Sequence, residues 1–324
     1  MILVRSPLRM SFVGGGSDMK VFYSSSPGKV LASSIDKYVY VAVKERFEGG
    51  IRLSYSENEI CETVSEIRHP IVRECLRLLD INEGIEIVSM ADIPGTGSGL
   101  GSSSSFTAAV LLALHRFKGC KISSRRIAEL ACEIEISRCG EPIGKQDQYA
   151  TAIGGMNKFT FLNDESVLAQ PITLPESVLS ELNDNLLILY TGATRSASAV
   201  LSEQQAQVSS SEQKRSILKS MVSLVDQFEM AIKSADLAQA SKILHENWML
   251  KKNLAKSISP AWVDEAYDRA LSLGAQGGKI LGAGAGGFFM FIAKPELHCT
   301  ISEALRMPKM NVSLINDGCQ IVFE

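Results

Sequence analysis

The sequence predicts an α+β protein built from two domains. Three observations lead there. Strand-like and helical segments follow one another without regular βα alternation. The chain of 324 residues is long for a single ordinary core. A polar stretch near 171–185 marks a composition shift, which places the expected domains at 1–180 and 181–324. Hydrophobic residues at 45% and charged residues at 21% point to a packed globule rather than a disordered chain.

Ile2 to Val4 and Met10 to Val13 read as short strands on either side of Ser6-Pro7. Gly14-Gly15-Gly16 breaks the chain, and Ser17-Asp18 can cap a helix reaching Phe22. Tyr38 to Val43 is a β run of branched and aromatic residues, and Glu48-Gly49-Gly50 suggests that Ile51 to Tyr55 pairs with it. A helix is expected over His69 to Leu79 and a strand over Ile85 to Val88. A helix after residue 101 should bury Phe106, Val110, Leu114 and Phe117. Further helices are expected over Ser124 to Ser137 and Gln146 to Ala152. Beyond the polar stretch come a strand at Leu186 to Tyr190 and helical patterns over 198–235 and 236–256. A helical face follows at Trp262, Ala266, Ala270 and Leu273, then a strand at Phe288 to Ile292. Val312 to Ile315 and Gln320 to Phe323 can close a sheet.

A net charge of -3 argues against a broad nucleic-acid surface. Seven scattered cysteines and four separated histidines give no zinc or redox spacing. The start lacks a signal-peptide pattern, and no apolar run approaches the roughly 20 residues that span a bilayer. The expectation is a cytoplasmic protein with reduced thiols that binds neither nucleic acid nor membrane.

The strongest chemical signal is Pro94-Gly95-Thr96-Gly97-Ser98-Gly99-Leu100-Gly101-Ser102-Ser103-Ser104-Ser105. Its glycines let backbone N–H groups turn toward an anion. The following helix adds partial positive charge, and the serine hydroxyls can bond phosphate or ligate Mg²⁺. The Gly-Lys-Ser/Thr ending of a Walker loop is missing.

Three segments together resemble the GHMP kinases, named for galacto-, homoserine, mevalonate and phosphomevalonate kinases. Pro94 through Ser103 is similar to their phosphate loop, with one extra residue before Gly99. Ser6-Pro7-Leu8-Arg9 with Gly14 to Asp18 resembles their N-terminal motif, and Gly282 to Gly287 their C-terminal one. The resemblance implies a ribosomal protein S5 domain 2-like N-terminal domain and a ferredoxin-like C-terminal domain, with the site in the cleft between them. It implies ATP held by Pro94, Gly95, Gly97, Ser98, Gly99, Leu100, Gly101, Ser102, Ser103 and Ser104. Asp147 matches the aspartate that faces the accepting hydroxyl, and Arg9 the cation beside the transferring phosphoryl. Ser103 and Glu135 match an Mg²⁺ pair. Asp18, Gly15, Gly16, Lys145, Arg195 and Gly286 fall where the substrate is held.

The run from Gly14 to Val41, with Lys145 to Ala150 and Thr191 to Arg195, resembles one branch of the family. That branch phosphorylates the anomeric hydroxyl of D-glycero-D-manno-heptose 7-phosphate. The Glu-His-Thr usual in galactokinases is replaced by Gly15-Gly16-Ser17. A phosphorylated acceptor needs cations, for which Lys29, Arg138, Lys145 and Arg195 are candidates. A kinase for fucose or another free sugar, and a sensor without catalysis, are the competing readings. The expected partners are ATP and a small-molecule sugar phosphate, with a homodimer left open.

Overall fold

The protein is described by a computed structural model over residues 1–93, 97–193 and 196–324. Pro94, Gly95 and Arg195, named above as binding residues, lie outside the described residues. The first half contains β1 (Ile2–Val13), α1 (Lys20–Tyr23), β2 (Gly28–Glu45), β3 (Ile51–Ser54), β4 (Asn58–Cys61), α2 (Pro70–Leu78), β5 (Ile85–Ala91), α3 (Ser102–Phe117), α4 (Ser124–Cys132), α5 (Gln146–Ile153), β6 (Met156–Phe161) and β7 (Val167–Pro171). The remainder contains α6 (Glu176–Asn185), β8 (Leu186–Tyr190), α7 (Ala197–Ser210), α8 (Glu212–Lys233), α9 (Leu237–Lys251), α10 (Ala261–Ser272), β9 (Gly277–Ile280), β10 (Phe288–Ile292), α11 (His298–Leu305), β11 (Lys309–Met310) and β12 (Gln320–Phe323).

Two sheets organise these elements. The larger runs β12-β1-β2-β5-β3-β4, with β6 and β7 continuing from the first part of β2. The smaller runs β11-β8-β10-β9. The chain's last strand therefore returns to the first sheet, so Gln320 to Phe323 does close a sheet, against β1. Val312 to Ile315 contributes only an isolated bridge, Leu314 to Ile35. Helices α8 and α9 lie between the sheets, α8 against β1 and β2 and α9 against β9. Phe228 of α8 stacks on Phe12 of β1 at 5.4 Å, and fully buried Trp248 of α9 packs among the side chains around the second sheet. One helix pair thus fixes both halves through close-packed apolar contact.

Several local expectations are corrected by this packing. β1 runs unbroken through Pro7, with a register shift between Pro7 and Leu8. Its neighbour β12 reaches only Arg5, so Pro7 need not donate on that side. Ile51 to Ser54 pairs with β4 and in parallel with β5, not with β2, because β5 lies between them. The helix expected over Ser124 to Ser137 changes to a π-helical turn at Glu133–Arg138. Helix α3 is buried nearly all round: Ala108, Ala109 and Leu111 are buried with Val110 and Leu114, while Phe106 and Phe117 are half-buried. The buried face of α10 centres on Val263, Tyr267 and Ala270 rather than Trp262 and Leu273, because Tyr267 meets Trp248 and Phe291.

Candidate active site

Arg9 occupies the part of β1 that is covered on both faces, and it is only 2% exposed. Its Nε and Nη2 donate to Asp147 Oδ1 and Oδ2 at 2.8 and 2.6 Å. Nη1 donates to the Gly99 carbonyl at 2.7 Å, and the Arg9 backbone N–H donates to the Leu100 carbonyl at 2.9 Å. One guanidinium therefore ties the glycine loop to the first turn of α5. The bidentate geometry fixes the carboxylate's orientation as well as its distance.

The loop itself is ordered by its serines. The Ser98 hydroxyl lies 2.9 Å from the Ser102 hydroxyl and accepts from the Leu100 N–H at 3.3 Å. Gly101 takes φ 75° at the N-terminus of α3, a conformation glycine adopts without strain. The first turn of α3 holds Ser102, Ser103 and Ser104 and no acidic residue of its own, which leaves its backbone N–H groups free of a capping carboxylate from within the helix. The Leu100 side chain points into the core and its carbonyl serves Arg9; among the residues expected to bind ATP, it is off the cavity wall.

Glu135 sits on the π-helical turn, where the added residue per turn changes side-chain direction. It is fully buried rather than on a solvated face. It accepts from Ser103 Oγ at 2.5 Å, Ser104 Oγ at 2.7 Å and Gln148 Nε2 at 2.6 Å. Burial raises its pKa, while these three hydrogen bonds pull in the opposite direction. Among the described residues no cluster of three or more His, Cys, Asp or Glu could hold a metal unaided. A carboxylate beside a cavity-lining hydroxyl is nevertheless an all-oxygen pair of the kind that suits Mg²⁺ when phosphate and water complete the shell.

Asp18 does not cap α1 with its side chain; Met19 holds that position. Its Oδ1 accepts from the Gly16 N–H at 2.8 Å and its Oδ2 from the Gln146 N–H at 3.2 Å. It thus joins the glycine turn after β1 to the start of α5. Burial raises its pKa, and the nearby Asp147 charge raises it further. Gly16 reaches the cavity wall, and Gly15 lies behind it near Ser11 and Gln146.

Both halves of the chain enclose one cavity of about 550 Å³, lined among others by Arg9, Asp18, Gly99, Ser103, Asp147, Gln204, Lys251 and Gly282. Residues of the glycine loop and Asp147 therefore line a shared space, of the size small-molecule sites take. From Gly282 to Gly287 only Gly282 and Ala283 reach the wall; Gly286 packs against the Ala193 carbonyl instead.

Three of the cations expected to hold phosphate lie off the cavity wall. Lys145 is ion-paired with Glu165 above the Tyr23 ring, Lys29 is paired with Asp226 at 2.5 Å, and Arg138 with Glu133 at 2.6 Å. Among the described residues, Arg9 and Lys251 are the cations on the wall. Lys251 and Gln204 escaped the sequence reading because neither lies in a recognisable motif. Both fall in unremarkable helical segments, and their burial arises only from the packing of α7 and α9.

The GHMP kinases N terminal domain profile matches residues 53–155, and the GHMP kinases C terminal profile matches 229–298. Together they cover more than half of the chain. The D-glycero-alpha-D-manno-heptose 7-phosphate kinase of Campylobacter jejuni is 28% identical over 94% of this chain and 93% of its own length. The bifunctional fucokinase/GDP-fucose pyrophosphorylase of Arabidopsis thaliana is 26% identical over 90% of this chain, which spans 30% of that longer protein. The crystal structure of a D-glycero-D-manno-heptose 1-phosphate kinase from Bacteroides thetaiotaomicron superposes with a TM-score of 0.80 at 24% identity, covering 100% of this chain and 99% of that one.

The protein is a phosphotransferase that takes its phosphoryl group from ATP and passes it to an alcohol. The chain belongs to the GHMP kinases, and its two-domain fold is theirs.

Proposed function

We propose that the chain phosphorylates the anomeric hydroxyl of D-glycero-D-manno-heptose 7-phosphate, giving the 1,7-bisphosphate. The observation that carries the reaction is the Arg9 clamp, which holds Asp147 and the Gly99 carbonyl at once beside the α3 N-terminus. The loop from Gly97 to Ser104 would cradle the triphosphate, with Pro94 and Gly95 extending it in sequence. The N-terminal amides of α3 favour that anion. Asp147 accepts the acceptor hydroxyl's proton as its oxygen attacks phosphorus, and Arg9 neutralises charge on the equatorial oxygens. No covalent intermediate is required, because positioning and charge do the catalytic work.

Ser103 and Glu135 are the residues that would hold Mg²⁺, which when bound supplies charge neutralisation at the phosphates. Asp18 and the Gly16 backbone form the acceptor side of the cavity, with Gln146 and Gln204 beside them. The Oε1 atoms of both glutamines are buried without a hydrogen-bond partner, as suits groups awaiting sugar hydroxyls. The two sheets, one built from β1 to β7 and the other from β8 to β11, support domains at 1–180 and 181–324, with β12 completing the first sheet from the far end of the chain.

The Campylobacter jejuni relative supports the choice of heptose 7-phosphate. The fucokinase relative favours the second reading, an anomeric kinase for a free sugar. A panel of phosphorylated and free sugars with ATP, read by phosphorus NMR of the product, decides between them. The expected result is a new anomeric phosphate on the heptose 7-phosphate; turnover of free fucose alone would reject the first reading.

The acceptor side has its own test. A Cβ on Gly144 would lie 1.9 Å from Asp18 Oδ2. Gly144→Ala is expected to displace that carboxylate and raise KM for the acceptor about tenfold or more, leaving KM for ATP near its original value. Equal increases in both would remove Asp18 from acceptor binding.

A further inference from the structure

We propose that Lys251 is a catalytic residue that donates from the second half of the chain to an oxygen of the phosphoryl group in transfer. The proposal rests on assigning Arg9, Asp147 and the loop from Gly97 to Ser104 to the reacting centre. Lys251 ends α9, is 4% exposed, and lines the cavity. Its Nζ makes one hydrogen bond, to the Gly282 carbonyl at 2.6 Å, although an ammonium carries three donors. Among the described residues, no carboxylate lies within ion-pairing distance of it. A buried, unpaired ammonium is costly to fold, and ordinary packing would favour an apolar side chain there.

Its position identifies the anion it suits. Gly282 packs on the glycine loop so closely that a Cβ on it would lie 2.5 Å from Gly99 Cα. The Gly99 carbonyl in turn accepts from Arg9. Lys251 and Arg9 thus flank one crossing of the two halves, with Asp147 on the far side of Arg9. The other buried lysine, Lys279, is different: it donates to the Ser11 and Phe12 carbonyls and is off the cavity wall.

In the transfer, the bond from the acceptor oxygen to the γ-phosphorus forms. The bond from that phosphorus to the β–γ bridging oxygen breaks, and ADP leaves. The hydroxyl proton passes to Asp147, while Lys251 keeps its proton and holds a phosphoryl oxygen. Burial lowers the Lys251 pKa to about 8, with Asp18 and Asp147 opposing that shift and Arg9 adding to it; Lys279 is a further cation nearby. The group is charged below that value and loses its charge above it.

The test compares the full-length protein with Lys251→Met and Lys251→Arg. Calorimetric titration with ADP and with a non-hydrolysable ATP analogue needs no knowledge of the acceptor. Lys251→Met should weaken analogue binding about tenfold, leave ADP binding unchanged, and melt at the same temperature or higher. Its kcat should fall about a hundredfold with phosphorylated and free acceptors alike. The wild-type kcat/KM for ATP should decline above about pH 8, and Lys251→Arg should move that decline to higher pH. Equal weakening of ADP and analogue with a lower melting temperature would make Lys251 a structural tether and overturn the proposal. So would a rise only in KM for phosphorylated acceptors, which would assign it to the acceptor's own phosphate. If the wild type turns over no sugar tested, the acceptor reading fails, while the nucleotide titrations still decide the role of Lys251.

Discussion

Asp147→Asn should lower kcat by two or more orders of magnitude while ATP still binds. The substitution keeps shape but removes the basic oxygen that takes the hydroxyl proton. An amide also offers Arg9 one acceptor where the carboxylate offers two, at 2.8 and 2.6 Å. Two orders of magnitude correspond to about 2.7 kcal/mol of barrier. The fold should survive, because Arg9 keeps its bond to the Gly99 carbonyl and the Asp147 side chain is already 26% exposed. Some stability is lost, since the buried guanidinium loses its counter-charge. Single-turnover kinetics with saturating ATP, beside an analogue titration and a thermal melt, separate these effects. Turnover near the wild-type rate would remove Asp147 from the mechanism.

Gly99→Ala is expected to be nearly as damaging, for a different reason. Gly99 has φ +73°, which costs an alanine about 1–2 kcal/mol. The new Cβ would also lie 2.4 Å from the Leu281 carbonyl oxygen and 3.3 Å from the Gly282 nitrogen. These are backbone atoms, so no rotamer change relieves the clash; the halves must separate or the loop must move. Stability should fall by about 2–4 kcal/mol, and kcat/KM for ATP at least tenfold. Gly119→Ala is the control, because Gly119 shares φ +73° and a Cβ there meets nothing within 4 Å. The difference between the two variants in denaturant melts isolates the contact between halves. If both lose the same stability and neither loses activity, the crossing at Gly99 does not hold the site together.

The candidate site was partly legible in the sequence. Arg9, Asp18, Gly99, Ser103, Glu135 and Asp147 belong to local patterns, and the fold brings all six to one region. The pairing of three candidate cations was not legible. Lys29, Lys145 and Arg138 carry the right charge, yet each is paired by a carboxylate distant or unremarkable in sequence: Asp226, Glu165 and Glu133. The strand errors have the same origin. Ile51 to Ser54 looked like the partner of β2 because a glycine turn separates them, but β5 inserts between the two. A turn specifies where a chain bends, whereas pairing depends on which strands bury the better faces.

By itself the sequence determined the reaction's raw materials: a glycine-serine loop opening a helix, an arginine in a strand, a carboxylate in a helix's first turn, and the order of strands and helices. These follow from nearest-neighbour constraints on backbone and hydrogen bonding, which a short stretch of residues carries whole. Only the tertiary structure decided that Lys251 and Gln204 face the cavity and that Glu135 is buried under two serines. It also decided that β12 returns to the first sheet. Burial and charge pairing depend on what packs against a residue from far along the chain, and a single helix or strand holds no record of that.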